Sequence, residues 1–275
     1  MPGKFKTGVY EWAEHKVNFD DCEYNCRYCY EKARKRRFNI APSGLRMKNV
    51  PAKRKFEPGV WMIPTTHDIT PRNISCAITV LRNVLKEGNK VLLVSKPRLE
   101  CIKEICKIFD DVAFAPFKMN FEFRFTITSI DAQIAAFWEP GAPEPAERIQ
   151  CLQFAFAKGF KTSVSAEPLL GGDIQANFIY NHTEKLITES IWFGKMNKID
   201  QRVMADSPEV EQQIYRIKIV QGDSSIRRLY QDLKDKPLVK FKDSIKKVVG
   251  IPLEENGPSN EVSSVQNIHS DASLF

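Results

Sequence analysis

From about residue 15 to residue 193 the chain alternates short apolar runs with segments of helical period, and that alternation constrains the fold more than any other feature. Strand-like runs fall at 15–19 (HKVNF), 60–64 (VWMIP), 90–95 (KVLLVS), 121–128 (FEFRFTIT), 161–166 (KTSVSA) and 186–193 (LITESIWF). A short helix is predicted from about Tyr30. Another opens at Thr70-Pro71, carries Ile74, Ala77, Ile78, Leu81, Val84 and Leu85 on one face, and stops at Gly88. Further helices are predicted at 97–109, at about 145–158 ending at Gly159, and near 172–181. Strands joined through helices form a parallel sheet. Six such units with their strand C-termini at one mouth predict an α/β fold, a partial (β/α)6 barrel of the TIM type, whose ligands sit in the loops after the strands. Two more amphipathic helices are expected at 207–219 and 223–235, the second with Asp223 as its cap. The domain reading is a core over 1–205 with a basic insertion at about 31–56, helices packed on it over 206–249, and a disordered acidic tail over 250–275.

A chain of 275 residues with 43% hydrophobic and 27% charged residues has the balance of a globular protein with a sizeable core. No run approaches the roughly eighteen apolar residues of a membrane span, and Lys4, Lys6, Glu11, Glu14 and Asp20 interrupt the place of a signal region. The expected location is the cytoplasm. The net charge of +7 is uneven: residues 31–56 hold ten Lys or Arg and one Glu, whereas residues 248–275 hold four acids and no Lys or Arg.

Cysteine is the most informative residue type. The seven cysteines, at 22, 26, 29, 76, 101, 106 and 151, are odd in number and point to reduced thiols rather than a disulfide framework. Cys22-x-x-x-Cys26-x-x-Cys29 directly follows the first strand run. Three thiolates hold three irons of a four-iron cubane and leave the fourth iron open to an exogenous ligand. S-adenosylmethionine chelates such an iron through its amino and carboxylate groups, and one electron then cleaves a sulfonium C–S bond to release a 5′-deoxyadenosyl radical. Three other readings stand beside this one. A zinc site would take its fourth ligand from His67 or Cys76 and suit a nucleic-acid-binding protein without catalysis. Chance clustering of buried thiols is at odds with the polar Asp20, Asp21, Glu23, Asn25 and Arg27. A ferredoxin-type site lacks a fourth cysteine at a usual spacing.

The sequence CEYNCRYC over Cys22–Cys29, with Tyr28 before the last cysteine, resembles the signature of the radical S-adenosylmethionine superfamily. VSKPRLECI (94–102), WEPGAPEPAERI (138–149) and WFGKMNKIDQRV (192–203) resemble segments of its spore photoproduct lyase-like branch, and the resemblance covers roughly residues 10–205. It implies one [4Fe–4S] cluster on Cys22, Cys26 and Cys29 at the mouth of a partial barrel, S-adenosylmethionine as cofactor, and Tyr28 near the adenine. Where the superfamily commonly has Gly-Gly-Glu after the second strand, this chain has Pro64-Thr65-Thr66-His67-Asp68, so the partners of the methionyl amino group differ. Thr66, His67 and Asp68 still offer hydroxyl, imidazole and carboxylate groups there.

Around the same mouth, Lys96 is placed to pair with the methionyl carboxylate and Ser95 to meet the ribose. Thr126, Thr128 and Ser129 end the fourth strand, Glu167 the fifth, and Lys195 and Asn197 follow the sixth. All are candidate cofactor contacts, Lys195 and Asn197 equally substrate contacts. Glu139 and Arg148 read either as a structural ion pair or as cofactor residues. Cys76 is a small buried hydrophobe or, alternatively, a hydrogen-atom donor to a product radical. Cys101, Cys106 and Cys151 read as helix core. The basic segment 31–56 is a candidate surface for phosphate contacts, making a nucleic-acid base or lesion the leading substrate and a peptide or small metabolite the runner-up. Such chemistry also needs an electron donor of the flavodoxin or ferredoxin type.

Overall fold

Side chains alternate faces along a strand, so each strand here serves two environments. The computed structural model describes residues 8–19, 22–40 and 56–253. Strands β1 (His15–Lys16), β2 (Val60–Ile63), β3 (Lys90–Ser95), β4 (Phe121–Thr126), β5 (Lys161–Ala166), β6 (Ser190–Phe193) and β7 (Val239–Phe241) form one parallel sheet whose spatial order is the order of the chain. One face presents Trp61, Ile63, Leu93, Phe121, Phe123 and Phe125 to the main hydrophobic core. The other presents Met62, Leu92, Val94 and Trp192, which pack with Trp12 in a separate cluster. Deeper on that inner face Arg124 crosses three strands, its Nε donating to Ser163 Oγ (2.9 Å) and its Nη2 to Glu122 Oε1 (2.9 Å) and Ser190 Oγ (3.3 Å). The sheet is open, with β1 and β7 as its edges. It is the partial β/α barrel expected, with seven strands instead of six.

The helices are α1 (Tyr30–Arg37), α2 (Ile74–Lys86), α3 (Leu99–Cys106), α4 (Ala132–Trp138), α5 (Pro145–Ala157), α6 (Gly172–Thr183), α7 (Ile199–Arg202), α8 (Pro208–Val220), α9 (Asp223–Leu233) and α10 (Asp243–Val249). α2 starts three residues later than expected, with Asn73 rather than Thr70 at its cap. Residues 70–73 instead make a turn in which Thr70 N donates to Asn73 Oδ1 and Asn73 Nδ2 to the Asp68 carbonyl. The sixth strand begins only at Ser190, because Glu184–Leu186 continue α6 as a 3-10 turn. Gly222, not Asp223, occupies the cap of α9, and Asp223 is its first helical residue. The C-terminal region is not purely helical, since β7 extends the sheet.

Residues 41–55 of the basic segment and 254–275 of the acidic tail lie outside the described residues. No described helix is long and apolar enough to cross a membrane.

Candidate functional site

The cysteine loop is fixed from two directions. Its Tyr24 is fully buried, and its hydroxyl donates to the Ile69 carbonyl (3.2 Å) beyond β2. The α4–α5 connection docks on its other side: Arg27 N donates to the Trp138 carbonyl (2.9 Å), Arg27 Nε to the Phe137 carbonyl (2.8 Å), and Gly141 N to the Tyr24 carbonyl (3.0 Å). Gly141 is required by that approach, since a Cβ there would lie 2.7 Å from the Glu23 carbonyl oxygen and 3.0 Å from Tyr24 Cα. The WEPG segment singled out in the sequence therefore braces the loop. Asn25, at φ 52°, makes the left-handed turn between the first two cysteines.

The thiols of Cys22, Cys26 and Cys29 line one cavity of about 680 Å³ at the C-terminal ends of the strands. Burial, reinforced by Asp68, pushes the Cys22 thiol up to about 12. Burial likewise pushes Cys26 up to about 12, against the pull of Lys96. Both are therefore neutral at pH 7 and must lose a proton to bind metal. Among the described residues, no group of three or more His, Cys, Asp or Glu side chains is gathered to hold a single metal ion. The one-ion zinc site with His67 or Cys76 thus has no counterpart there. The donor set that does exist, three thiols of one pinned loop facing one cavity, suits a cubane, whose three thiolate positions are spread over separate irons.

Asp68 organises the floor after β2 and β3. Its Oδ1 accepts from Lys96 N (2.5 Å) and Ser95 Oγ (3.1 Å), and its Oδ2 pairs with Lys96 Nζ (3.3 Å) and accepts from Cys22 Sγ (3.8 Å). Burial works against the charge on Lys96, but Asp68 together with Cys26, Tyr28 and Glu139 outweighs it and holds the ammonium well above the ordinary lysine range. Asn18 Oδ1 accepts from Thr65 N (2.9 Å) and Thr66 N (3.1 Å), tying the end of β1 to the loop after β2, and His67 Nδ1 contacts the Phe19 carbonyl.

Of the residues expected around the cofactor, Tyr28, Thr66, His67, Asp68, Lys96, Thr126, Glu167, Lys195 and Asn197 line the cavity. Ser95 does not; it stands behind Asp68. Thr128 and Ser129 are fully buried, bonded to Glu139 Oε2 (3.1 Å) and Gln175 Oε1 (3.0 Å) respectively. Glu139 and Arg148 form a buried ion pair at 2.5 Å, outside the cavity lining, and Glu139 also accepts from the Tyr28 hydroxyl. Tyr28 is held well above the ordinary tyrosine range by burial and by Glu139. Cys76 is not brought to the cavity: on α2 it packs against the core on the far face of the sheet.

Sequence reasoning missed Asn18, Trp12, Ser165, Arg202 and Lys242, which also line the cavity. Lys242 follows β7 and is almost fully buried, paired with Glu11 and, at 3.8 Å, with Glu167. Burial raises the Glu167 carboxyl above its ordinary range, against the opposing pull of Lys242.

An open parallel β/α barrel of this kind is the fold seen in solved spore photoproduct lyase structures. A solved structure of a spore photoproduct lyase variant with bound AdoMet and dinucleoside spore photoproduct is similar at a TM-score of 0.50 and 16% identity, over 86% of this chain and 78% of that one. Streptococcus suis SuiB bound to S-adenosylmethionine gives a TM-score of 0.48 and 11% identity over 80% of this chain, which spans 44% of the SuiB chain. An uncharacterized protein of Methanocaldococcus jannaschii is 23% identical over 191 residues, 67% of this chain and 71% of that protein. No family model matches.

Proposed function

We propose that the chain is a radical S-adenosylmethionine enzyme. The observation that carries this reading is the convergence of three cysteine side chains from one braced loop on a single cavity in a spore photoproduct lyase-like fold. Cys22, Cys26 and Cys29 would hold a [4Fe–4S] cluster, with Thr66, His67, Asp68 and Lys96 of the same cavity lining for the methionyl end of S-adenosylmethionine and Tyr28 for its adenine. Bound together, cluster and cofactor supply one electron and a 5′-deoxyadenosyl radical able to take hydrogen from an unactivated carbon.

The chain's own residues supply the setting. Asp68 neutralises Lys96 yet leaves it facing the cavity, so the ammonium can turn to an incoming carboxylate without first being desolvated. Glu139 and Arg148 hold Tyr28 from behind. Met62, Val94 and Trp12 give the cavity apolar wall that keeps water from a reactive carbon.

For substrate, a nucleic-acid base or lesion is favoured over a peptide or small metabolite. Lys16, Lys32, Lys35 and Arg202 line the cavity, and α1 carries four basic residues in its last turn. The similar spore photoproduct lyase structure holds a dinucleoside photoproduct. The electron would come from a flavodoxin- or ferredoxin-type donor. A lyase outcome is the favoured subclass.

The test is anaerobic reconstitution with iron and sulfide, reduction with dithionite, addition of S-adenosylmethionine, and chromatography for 5′-deoxyadenosine with the native chain and Cys26→Ala. Product from the native chain that vanishes in the variant supports the reading. Stoichiometric zinc in anaerobically prepared protein, with no uptake of iron and sulfide, overturns it.

A further inference from the structure

One wall of the cavity is not held by the sheet. Gly8–Glu11 form a single 3-10 turn followed by Trp12, and Gly8, Val9 and Trp12 line the cavity. The turn's backbone bonds are internal, with Trp12 N and Ala13 N both donating to the Val9 carbonyl (2.9 and 3.2 Å). Among the described residues, no backbone–backbone bond ties Gly8–Trp12 to the sheet.

Side chains hold it instead. Lys242 Nζ donates to the Gly8 carbonyl (2.9 Å), pairs with Glu11, and lies 4.1 Å from the centre of the Trp12 ring. Trp12 meets Trp192 edge to face at 5.7 Å and covers the Arg124 guanidinium at 4.7 Å. Lys242 stands at the end of β7 and the turn just before β1, so the clasp spans the two sheet edges that share no ladder.

Releasing this wall breaks a charge-assisted clasp and the packing of Trp12 on Trp192, Arg124, Met62, Leu92 and Val94, whereas displacing a strand would break a whole ladder as well. Local opening follows the weaker set. Gly8, at φ +64° with nothing within 4 Å of a Cβ built on it, provides a pivot. Behind the wall lie Ser165, Glu167 and Lys195, the part of the lining drawn from β5 and from the loops after β5 and β6. We propose that Lys242 is a positioning residue of this cavity, clasping Gly8–Trp12 across the open seam of the barrel as a detachable side wall that opens to admit a ligand to the β5–β7 half. The inference stands whether or not the three thiols carry a cluster.

The test uses the full-length apoprotein with iodoacetamide as a cavity probe, reading alkylation of Cys26 and of Cys151 by mass spectrometry together with amide hydrogen exchange at Trp12 and Ala13. Lys242→Met and Glu11→Gln are each expected to raise Trp12 and Ala13 exchange and Cys26 alkylation about tenfold, the effect of losing one charge-assisted bond. Lys242→Arg should stay near the native rates, and exchange in β3 and alkylation of Cys151 should not change. Glu11→Gln leaves the buried lysine in place and reports on the clasp even if Lys242→Met folds poorly. Unchanged rates at Trp12, Ala13 and Cys26 in Glu11→Gln would overturn the proposal. So would an acceleration shared equally by β3 and Cys151, which marks a general loosening of the core.

Discussion

Replacing Arg148 with Met tests whether the cavity's rear support is the buried ion pair. The guanidinium pairs with Glu139 Oε2 at 2.5 Å and donates from Nε to the Pro143 carbonyl at 2.8 Å, with longer contacts of 3.4 Å to the Thr126 carbonyl and Thr128 Oγ1. The side chains are 1% and 0% exposed, so no solvent replaces what is lost. Removing one partner of such a pair costs about 3–5 kcal/mol, a large part of the ~5–15 kcal/mol that stabilises a typical domain. Glu139→Gln/Arg148→Met removes both charges and keeps a carbonyl oxygen for Tyr28 and Thr128, so its cost should fall to about 1–2 kcal/mol. Urea denaturation of the apoprotein followed by circular dichroism measures both. A cost below about 1 kcal/mol for Arg148→Met, or a double variant no more stable than the single one, would refute the claim that an orphaned carboxylate is what destabilises the fold.

Gly141→Ala should push the α4–α5 connection off the cysteine loop, because the new Cβ meets backbone at 2.7 Å. A loss of about 1–3 kcal/mol in denaturation and reduced iron uptake on reconstitution are expected, and native-like uptake would contradict the bracing role. Asp68→Asn keeps an acceptor for Ser95 and the Lys96 amide but removes the charge paired with Lys96. Equilibrium binding of S-adenosylmethionine to reconstituted protein should weaken about tenfold, and unchanged affinity would remove Asp68 from the cofactor's setting. Burial, with Glu100 adding for Cys101, pushes the Cys101 and Cys106 thiols up to about 12. The stability that this contributes is complete below the unfolded-state pKa near ~8.5 and is lost as pH rises towards 12. Denaturation midpoints should therefore fall across that window, and fall less steeply in Cys101→Ala/Cys106→Ala; equal slopes would show that these thiols do not titrate there.

The legible part of the fold was the part whose pattern is long. β3, with VLLV buried on both faces, and β4, with phenylalanines at 121, 123 and 125, carry enough periodic signal to be placed to the residue or nearly so. β7 was missed because Val239–Phe241 is three residues at a sheet edge, with Lys240 in its middle and Lys242 directly after it, too short for any period to register. α4 had a signal that went unused: Asp131 before Ala-Gln-Ile, whose carboxylate accepts from Gln133 N (2.8 Å) and Ile134 N (3.1 Å) as an N-cap. At the site, residues ending strands were found because β/α topology puts them at the mouth. Ser95, Thr128 and Ser129 show the limit of that rule, since a position near a strand end does not say whether the side chain meets the cavity or a neighbouring buried polar group. Lys242 and Trp12 were invisible because their roles depend on the two edges of the sheet meeting.

The identity of spatial and sequential strand order has a consequence for assembly. As the chain leaves the ribosome, each new strand can add to the exposed edge left by its predecessor, and none must be threaded between two already joined. The thiol-bearing loop emerges just after the first strand but lacks its second brace until α4 arrives more than a hundred residues later. β7 is the last strand of the sheet, so the seam is closed by the segment that also carries Lys242. A nascent chain stopped before that strand would present the cysteine loop in a trough rather than a chamber, open on the side that Lys242 later closes.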